Sequence, residues 1–465
     1  MSTGGEGSLP GAPAARTRRN ALRLAGLLSA TFAGAYYSNV VLVPLDAMLQ
    51  HFHAGVGMGA LVLGGFAVPL AAATPIAVHV GERLGLTRAL SLAVGVLALG
   101  SLAAALAPTL AFLVSVRVVQ GMAAAVILPG VLLLLSTGFS ERERPLVLGM
   151  WSSVNSLGRV VAVPVGGLLA SAAGWSAVFW SVVPVCGLAA VAVAVVVPRR
   201  APGRASLDRR TAAALTGGAA LLLGALTALS TGTIGEIAAA PVGVLGVALL
   251  VTAWRRCRGR TGGILPVELF SSPTFLRSTI GSFVQMAIIL VDVTGVSLYL
   301  ERDAGVSSAR AGLVALTFPA VMVVVSTGAG AAMGRLGGRR VFWGGLVLLA
   351  AGQAGIALAL RPGEGISALV IASLGVGGAG AALAQTSTAA GATRPEHHGG
   401  TAAVGIFNLV RFSGTAAGAA WLAVALSLGA SYTVLFASAG AVAAGTLLLT
   451  ASIGRGRPLF HLRSP

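Results

Sequence analysis

The sequence predicts an all-α integral membrane protein: two pseudo-symmetric six-helix bundles with two helices inserted between them, fourteen transmembrane helices in all. Three observations carry this. Of 465 residues, 56% are hydrophobic and only 9% charged, with a mean hydropathy of +0.91, whereas a soluble domain carries about 25% charged residues. Apolar runs of roughly 20 residues, the length a bilayer core demands, follow one another along the chain. Finally, Arg83-Leu84-Gly85-x-x-Arg88 recurs 252 residues later as Arg335-Leu336-Gly337-x-x-Arg340, each copy in a short basic turn between long apolar stretches. Such a repeat means two related bundles, the anatomy of a chain that rocks one half against the other.

Taken in order, residues 1–21 are rich in Gly, Pro, Ala and Arg and read as a cytoplasmic tail. Arg18-Arg19-Asn20 mimics a twin-arginine signal, but the many spans downstream favour an uncleaved first helix. Helices 1 to 6, at 22–45, 55–78, 89–108, 109–136, 146–172 and 176–198, make an N-terminal bundle over 22–198. Segment 199–273 holds helices 7 and 8, at 212–232 and 235–254, between two arginine-rich loops. Helices 9 to 14, at 274–299, 309–333, 341–360, 366–390, 400–428 and 431–453, make a C-terminal bundle over 274–453, and 454–465 is a second tail. The repeat matches helices 1–6 to helices 9–14 in parallel: Asn155 and Arg159 on helix 5 are echoed by Asn408 and Arg411 on helix 13. Glycines inside helices, as at Gly377 and Gly378, would weaken a helix in water but let helices approach closely in lipid.

All 31 basic residues are arginine. Over these spans 25 fall on one side, 3 on the other and 3 inside the membrane, the asymmetry that orients helices with their positive side in. The net charge of +18 is therefore topology and not a nucleic-acid footprint, and both termini are expected in the cytoplasm of a multi-pass plasma-membrane protein. The arginine-, alanine- and glycine-rich composition suggests a bacterial genome. Cys186 and Cys257 are bland thiols, and neither they nor the His51/His53 and His397/His398 pairs form a metal motif. No phosphate-cradling loop or catalytic triad appears, so neither a cofactor nor an enzymatic role is expected.

Acidic residues are scarce enough for elimination. Of thirteen, Asp292 alone lies well inside a predicted helix, about 8–12 Å from the outer end of helix 9. A carboxylate there is costly to ionise and suited to binding and releasing a proton, or is a static group satisfied by a hydroxyl or by an arginine such as Arg117. Arg117 on helix 4 lies at a similar depth, about 12 Å from its helix end, and needs a buried partner or a wet cavity. Arg159 and Arg411 are nearer mid-membrane. Either could neutralise Asp292, bind an anionic group on a substrate, or sit in a hydrated crevice. Tyr36, Tyr37, Asn39, Gln120, Gln285 and Gln385 are candidates to line a cavity with Asn155, Arg159, Asn408 and Arg411, or to bond helix to helix.

The residues resemble the major facilitator superfamily, specifically its fourteen-helix drug:proton antiporters, over nearly the whole chain past residue 20. Leu113-x-x-x-Arg117-x-x-Gln120-Gly121-Met122-Ala123-Ala124 is similar to that superfamily's fourth-helix motif, and the resemblance implies that Arg117 takes part in proton transfer. Glu82-Arg83-Leu84-Gly85-Leu86-Thr87-Arg88 resembles the loop signature G-x-L-A-D-R-x-G-R-K, with Glu82 for the aspartate and Leu86-Thr87 for the basic pair. This implies a conformational latch of Glu82, Arg83, Gly85 and Arg88. Helix 5 resembles the antiporter motif G-P-x-x-G-G in part: Gly166-Gly167 is present, Pro164 falls one place late and Ala162-Val163 replaces Gly-Pro, and with Gly158 these make a candidate helix-packing motif of Gly158, Pro164, Gly166 and Gly167. The aspartate usual early in helix 1 is replaced near Gly34.

Together these predict a proton-coupled exporter of small amphipathic organic compounds such as drugs or antibiotics. It would exchange substrate against protons by alternating access and act as a monomer in the lipid bilayer. An importer or facilitator of a small metabolite on the same fold is the alternative. A non-transporting sensor would need a signalling domain that the sequence does not contain.

Overall fold

The structure is a computed structural model that describes residues 12–42, 44–55, 58–199, 208–231, 236–258, 265–360, 366–394 and 400–453. Among these, thirteen helices are long and apolar enough to cross a bilayer, or fourteen when a bent pair at the start counts as one span. The protein is thus an all-helical, multi-pass membrane protein. The N-terminal bundle comprises α1 (Ala12–Val40), α2 (Gly59–Leu84), α3 (Leu86–Ala105), α4 (Leu110–Gly138), α5 (Arg144–Ala173) and α6 (Trp175–Val196). The insert is α7 (Arg209–Thr231) and α8 (Glu236–Cys257). The C-terminal bundle comprises α9 (Pro273–Arg302), α10 (Ser308–Leu336), α11 (Gly338–Ala359), α12 (Ala368–Ala392), α13 (Gly400–Ser427) and α14 (Tyr432–Ser452).

Two helices depart from expectation for local reasons. The first begins at Ala12, not at residue 22, because the Ala- and Arg-rich approach propagates a helix before the apolar run starts. It stops at Val40, and beyond Pro44, which cannot continue a helical ladder, a short helix at Leu45–His51 leaves at 57°. α10 is interrupted at Leu316, where Pro319 has no N–H to give the carbonyl one turn back. Expectations for residues 1–11 and 454–465, and the His397/His398 pair, lie outside the described residues.

The repeated basic turn has a backbone cause. Gly85 joins α2 to α3 at φ 85°, and Gly337 joins α10 to α11 at φ 83°, a region open to glycine and strained for other residues. The same symmetry recurs in the helix crossings. Gly121 of α4 lies on the carbonyl of Phe66 in α2, and Gly378 of α12 lies on the carbonyl of Phe318 in α10. Phe66 and Phe318 are again 252 residues apart. Likewise Gly158 of α5 meets the Phe32 carbonyl of α1, and Gly414 of α13 meets the Phe283 carbonyl of α9. A methyl group at any of these glycines would collide with backbone, so small residues set the crossing distances of both bundles.

The bundles meet along α5–α10 and α2–α13, and α7 packs on both α2 and α13, so the insert lies over the second seam. Their contact is tightest toward the end that carries the Arg83–Arg88 and Arg335–Arg340 turns. A Cβ on Gly149 would stand 2.7 Å from the Ser326 carbonyl oxygen, and one on Gly405 would stand 3.0 Å from Pro75. Ser152 Oγ donates to Ser326 Oγ at 2.9 Å, and Ser153 Oγ donates to the Val323 carbonyl at 2.7 Å and lies 2.8 Å from Thr327 Oγ1. Among the described residues the two bundles close on each other at that end.

Candidate functional site

Three buried polar clusters stand out, one inside each bundle and one between them. In the N-terminal bundle, α4 brings Arg117 and Gln120 to one face. Arg117, 1% exposed, donates to the Tyr37 hydroxyl of α1, and Tyr37 donates to Gln120 Oε1. Arg117 Nε also reaches the Val62 carbonyl at 3.4 Å, and its guanidinium lies 4.4 Å over the Phe66 ring and 5.1 Å over Tyr37. Gln120 Nε2 bonds the Leu97 carbonyl and Ser101 Oγ of α3 at 3.3 and 3.2 Å. Residues from α1 to α4 thus embed one cation without a carboxylate, using hydroxyl, amide and aromatic faces to offset its desolvation.

In the C-terminal bundle Asp292 is fully buried. α9 runs on to Arg302, so the carboxylate lies about 15 Å from the outer end of its helix, deeper than expected. Gln353 Nε2 of α11 donates to both carboxylate oxygens, at 2.7 and 2.8 Å, while Gln353 Oε1 is buried without a partner. Phe318 of α10 and Gly377 of α12 complete the pocket. The carboxylate therefore has a neutral amide partner, and Arg117, Arg159 and Arg411 each lie elsewhere. An arginine was a plausible sequence-level partner because depth along a helix says nothing about which face a side chain occupies.

The third cluster joins the halves. Arg411 of α13, 1% exposed, donates from Nη2 to Gln385 Oε1 of α12 at 3.1 Å, and its guanidinium lies 5.4 Å over the ring of Trp151 in α5. Gln385 Nε2 in turn donates to Ser152 Oγ at 2.7 Å. Asn155 and Arg159 continue the Trp151 face of α5 at four-residue steps, and Asn408 lies one turn from Arg411. Arg159 is partly exposed.

Of the residues expected to line a cavity, Gln385 and Arg411 meet at this seam, Asn155 and Arg159 lie along the Trp151 side of α5, and Asn408 Nδ2 donates to the Val404 carbonyl of its own helix at 2.9 Å. Tyr37 and Gln120 instead serve Arg117. Tyr36 pairs with Ser181 of α6 at 2.8 Å, and Asn39 bonds the Ala35 carbonyl of its own helix at 2.8 Å. Gln285 donates to the Ala381 carbonyl of α12 at 3.1 Å. Gln353, Trp151, Ser152 and Ser326 were not singled out from sequence. Gln353 carried the signal that marked Gln285 and Gln385, a glutamine amid apolar residues, whereas nothing in sequence distinguishes Trp151 from a lipid-facing tryptophan.

At the basic end, Glu82 is half-buried and Arg83 and Arg88 are exposed around the Gly85 turn, and Thr87 Oγ1 ties this turn to the Pro198 carbonyl at 2.8 Å. In α5, Gly158 and Gly166 are buried, Gly167 is half-buried and Pro164 is exposed. Outside the spans, Asp208 begins α7 by accepting from Thr211 Oγ1 at 2.7 Å and the Arg210 amide at 3.1 Å, and the Thr211 hydroxyl first of all holds its carboxyl below the usual range. A cavity of about 440 Å³ at the basic end of the C-terminal bundle is lined by Arg277, Arg339 and Arg394, apart from all three clusters. Among the described residues no group of three His, Cys, Asp or Glu side chains is placed to hold a metal.

Comparison with known proteins is consistent with this architecture. The family model of the Major Facilitator Superfamily matches residues 25–419. The tetracenomycin C resistance and export protein of Streptomyces glaucescens is 29% identical over 73% of this chain and 64% of its own length. The methylenomycin A resistance protein of Streptomyces coelicolor is 30% identical over 57% of this chain and 56% of its own. The match thus spans less than two thirds of either relative. The multidrug resistance protein Stp of Mycobacterium tuberculosis is 28% identical over 83% of this chain and 74% of its own length. In fold, the human organic anion transporter MFSD10 superposes with a TM-score of 0.64 at 17% identity, covering 93% of this chain and 99% of that one.

Proposed function

The chain belongs to the Major Facilitator Superfamily, and we propose that within it the protein is a proton-coupled exporter of small amphipathic organic compounds, drugs or antibiotics among them. The names of relatives that confer antibiotic or multidrug resistance support export. The observation that carries proton coupling is Asp292, a fully buried carboxylate held by one neutral amide. Gln353 suits either protonation state. Its Nε2 serves the carboxylate, and a turn of the amide would bring the unpartnered Oε1 to accept from a protonated carboxyl.

Protonation removes a buried charge and biases the two-state equilibrium of the bundles one way, and substrate biases it the other, which yields exchange. Arg117, in its own bundle, answers changes in the Tyr37–Gln120 network. With both termini cytoplasmic, the closed end faces the cytoplasm. Glu82, Arg83, Gly85 and Arg88 form the latch that steadies this state. Gly158, Pro164, Gly166 and Gly167 let α5 slide as it opens. Substrate contacts Asn155, Arg159, Gln385, Asn408 and Arg411 at the seam, and one chain in the bilayer suffices.

Inverted membrane vesicles test this reading. Proton movement is followed while lipophilic cations, neutral drugs and anionic antibiotics are added to the wild type and to Asp292→Asn. Substrate-triggered proton release in the wild type that disappears in the variant is the expected result. Release that survives the substitution would overturn Asp292 as the coupling group. Accumulation driven into energised cells would reassign the protein as an importer.

A further inference from the structure

The seam between the bundles contains more buried donors than partners. Arg411 uses Nη2 on Gln385, but its Nε and Nη1 are buried with nothing to bond, as is Nε1 of Trp151, over whose ring the guanidinium lies. Two turns beyond Trp151 on α5 stands a second cation, Arg159, and among the described residues Arg411 has no hydrogen bond to a carboxylate. Asp292, the one deeply buried acid among the described residues, is held by Gln353 in a separate pocket. Two guanidinium groups near mid-membrane without a counter-charge are costly. The arrangement is therefore that of a binding site in need of an anion. Acceptors accompany the donors: the side-chain oxygens of Asn155 and Asn408 are also buried and unpartnered, and they sit on the same two helices as Arg159 and Arg411.

We infer that the transported compound is a hydroxylated organic acid whose anionic group docks between Arg159 and Arg411 while its hydroxyl groups donate to Asn155 and Asn408. This rests on reading the protein as an alternating-access exporter, and it specifies the substrate class. The geometry fits that cycle. Arg411 comes from the C-terminal bundle, and Arg159, Trp151 and Asn155 come from the N-terminal one, so an anion bridging them draws the halves together as one guanidinium alone could not. A charge-assisted pair shielded from water is stronger than the same pair in solution. The two arginines also exclude permanent cations from the seam.

Purified protein in detergent tests this by thermal shift and tryptophan fluorescence, with 3-hydroxy-2-naphthoate, its carboxamide, and tetraphenylphosphonium as probes. The acid should bind at least tenfold more tightly than the amide, and tetraphenylphosphonium should not bind. Arg411→Gln and Arg159→Gln should each weaken the acid at least tenfold and the amide far less, with Arg411→Lys recovering part of the loss. A purely structural arginine would instead change acid and amide alike. Equal binding of acid and amide, tetraphenylphosphonium binding, or no response to the acid would overturn the inference. Failure here is separable from failure of the export reading. Cation-triggered proton release in vesicles would keep the exporter and discard the anion site, whereas acid binding without any proton release would keep the site and discard proton coupling.

Discussion

Arg117 and Asp292 occupy corresponding pockets of the two bundles, and no hydrogen bond joins them. The cation is enclosed by side chains of α1 to α4 and the carboxylate by those of α9 to α12. Each of these two pockets thus holds one buried charge, of opposite sign, with partners from its own bundle. No direct ion pair couples the two charges, so coupling between them runs through the motion of whole bundles.

This separation makes Asp292→Asn a mimic of the protonated state with its amide partner still in place. The variant should retain substrate exchange across the membrane while losing accumulation driven by a proton gradient. Counterflow of labelled substrate in proteoliposomes, compared with gradient-driven transport in the same preparation, checks this. Gln353→Leu removes the donor to the charged form, an interaction of about 1.5–3 kcal/mol. It should slow proton-coupled exchange roughly tenfold or more with little change in counterflow.

Tyr37 bridges Arg117 and Gln120, so Tyr37→Phe leaves a guanidinium nitrogen and an amide oxygen buried without partners. The loss should be about 1.5–3 kcal/mol, read as a lower Tm of the purified protein. The ring contacts with Arg117 and Phe66 survive this substitution, so a Tm unchanged from the wild type would mean that the hydroxyl does not support the network.

Ser153 and Thr327 touch across the α5–α10 seam, their hydroxyl oxygens 2.8 Å apart. In a background lacking Cys186 and Cys257, the pair Ser153→Cys and Thr327→Cys should form a disulfide under mild oxidation, arrest transport, and release it on reduction. Transport that continues in the fully cross-linked protein would mean that this end does not open during the cycle.

Gly121 and Gly378 meet phenylalanine carbonyls at matching crossings. Gly121→Val and Gly378→Val should each destabilise their own bundle by a similar amount, about 1–3 kcal/mol. Unfolding in detergent followed by limited proteolysis would show which bundle loosens. A large effect at one position and none at the other would mean that the two crossings differ in tightness.

The sequence by itself determined the features that depend on local chemistry or on the bilayer as solvent. Fourteen apolar stretches, the arginine asymmetry, and the Gly85 and Gly337 turns are all of this kind, because span length, flanking charge and left-handed backbone each leave a mark within a few residues. Elimination likewise isolated Asp292, since an acid inside a span is conspicuous. The tertiary structure alone decided partners. α4 and α12 are apolar on nearly every side, as helices bordered by both lipid and protein must be, so no hydrophobic stripe reveals how each is rotated about its axis. Rotation is what turned Arg117 toward Tyr37, gave Asp292 to Gln353 rather than to an arginine, and set Arg411 over Trp151. Those pairings come from close packing of small residues in three dimensions, which no periodicity along the chain records.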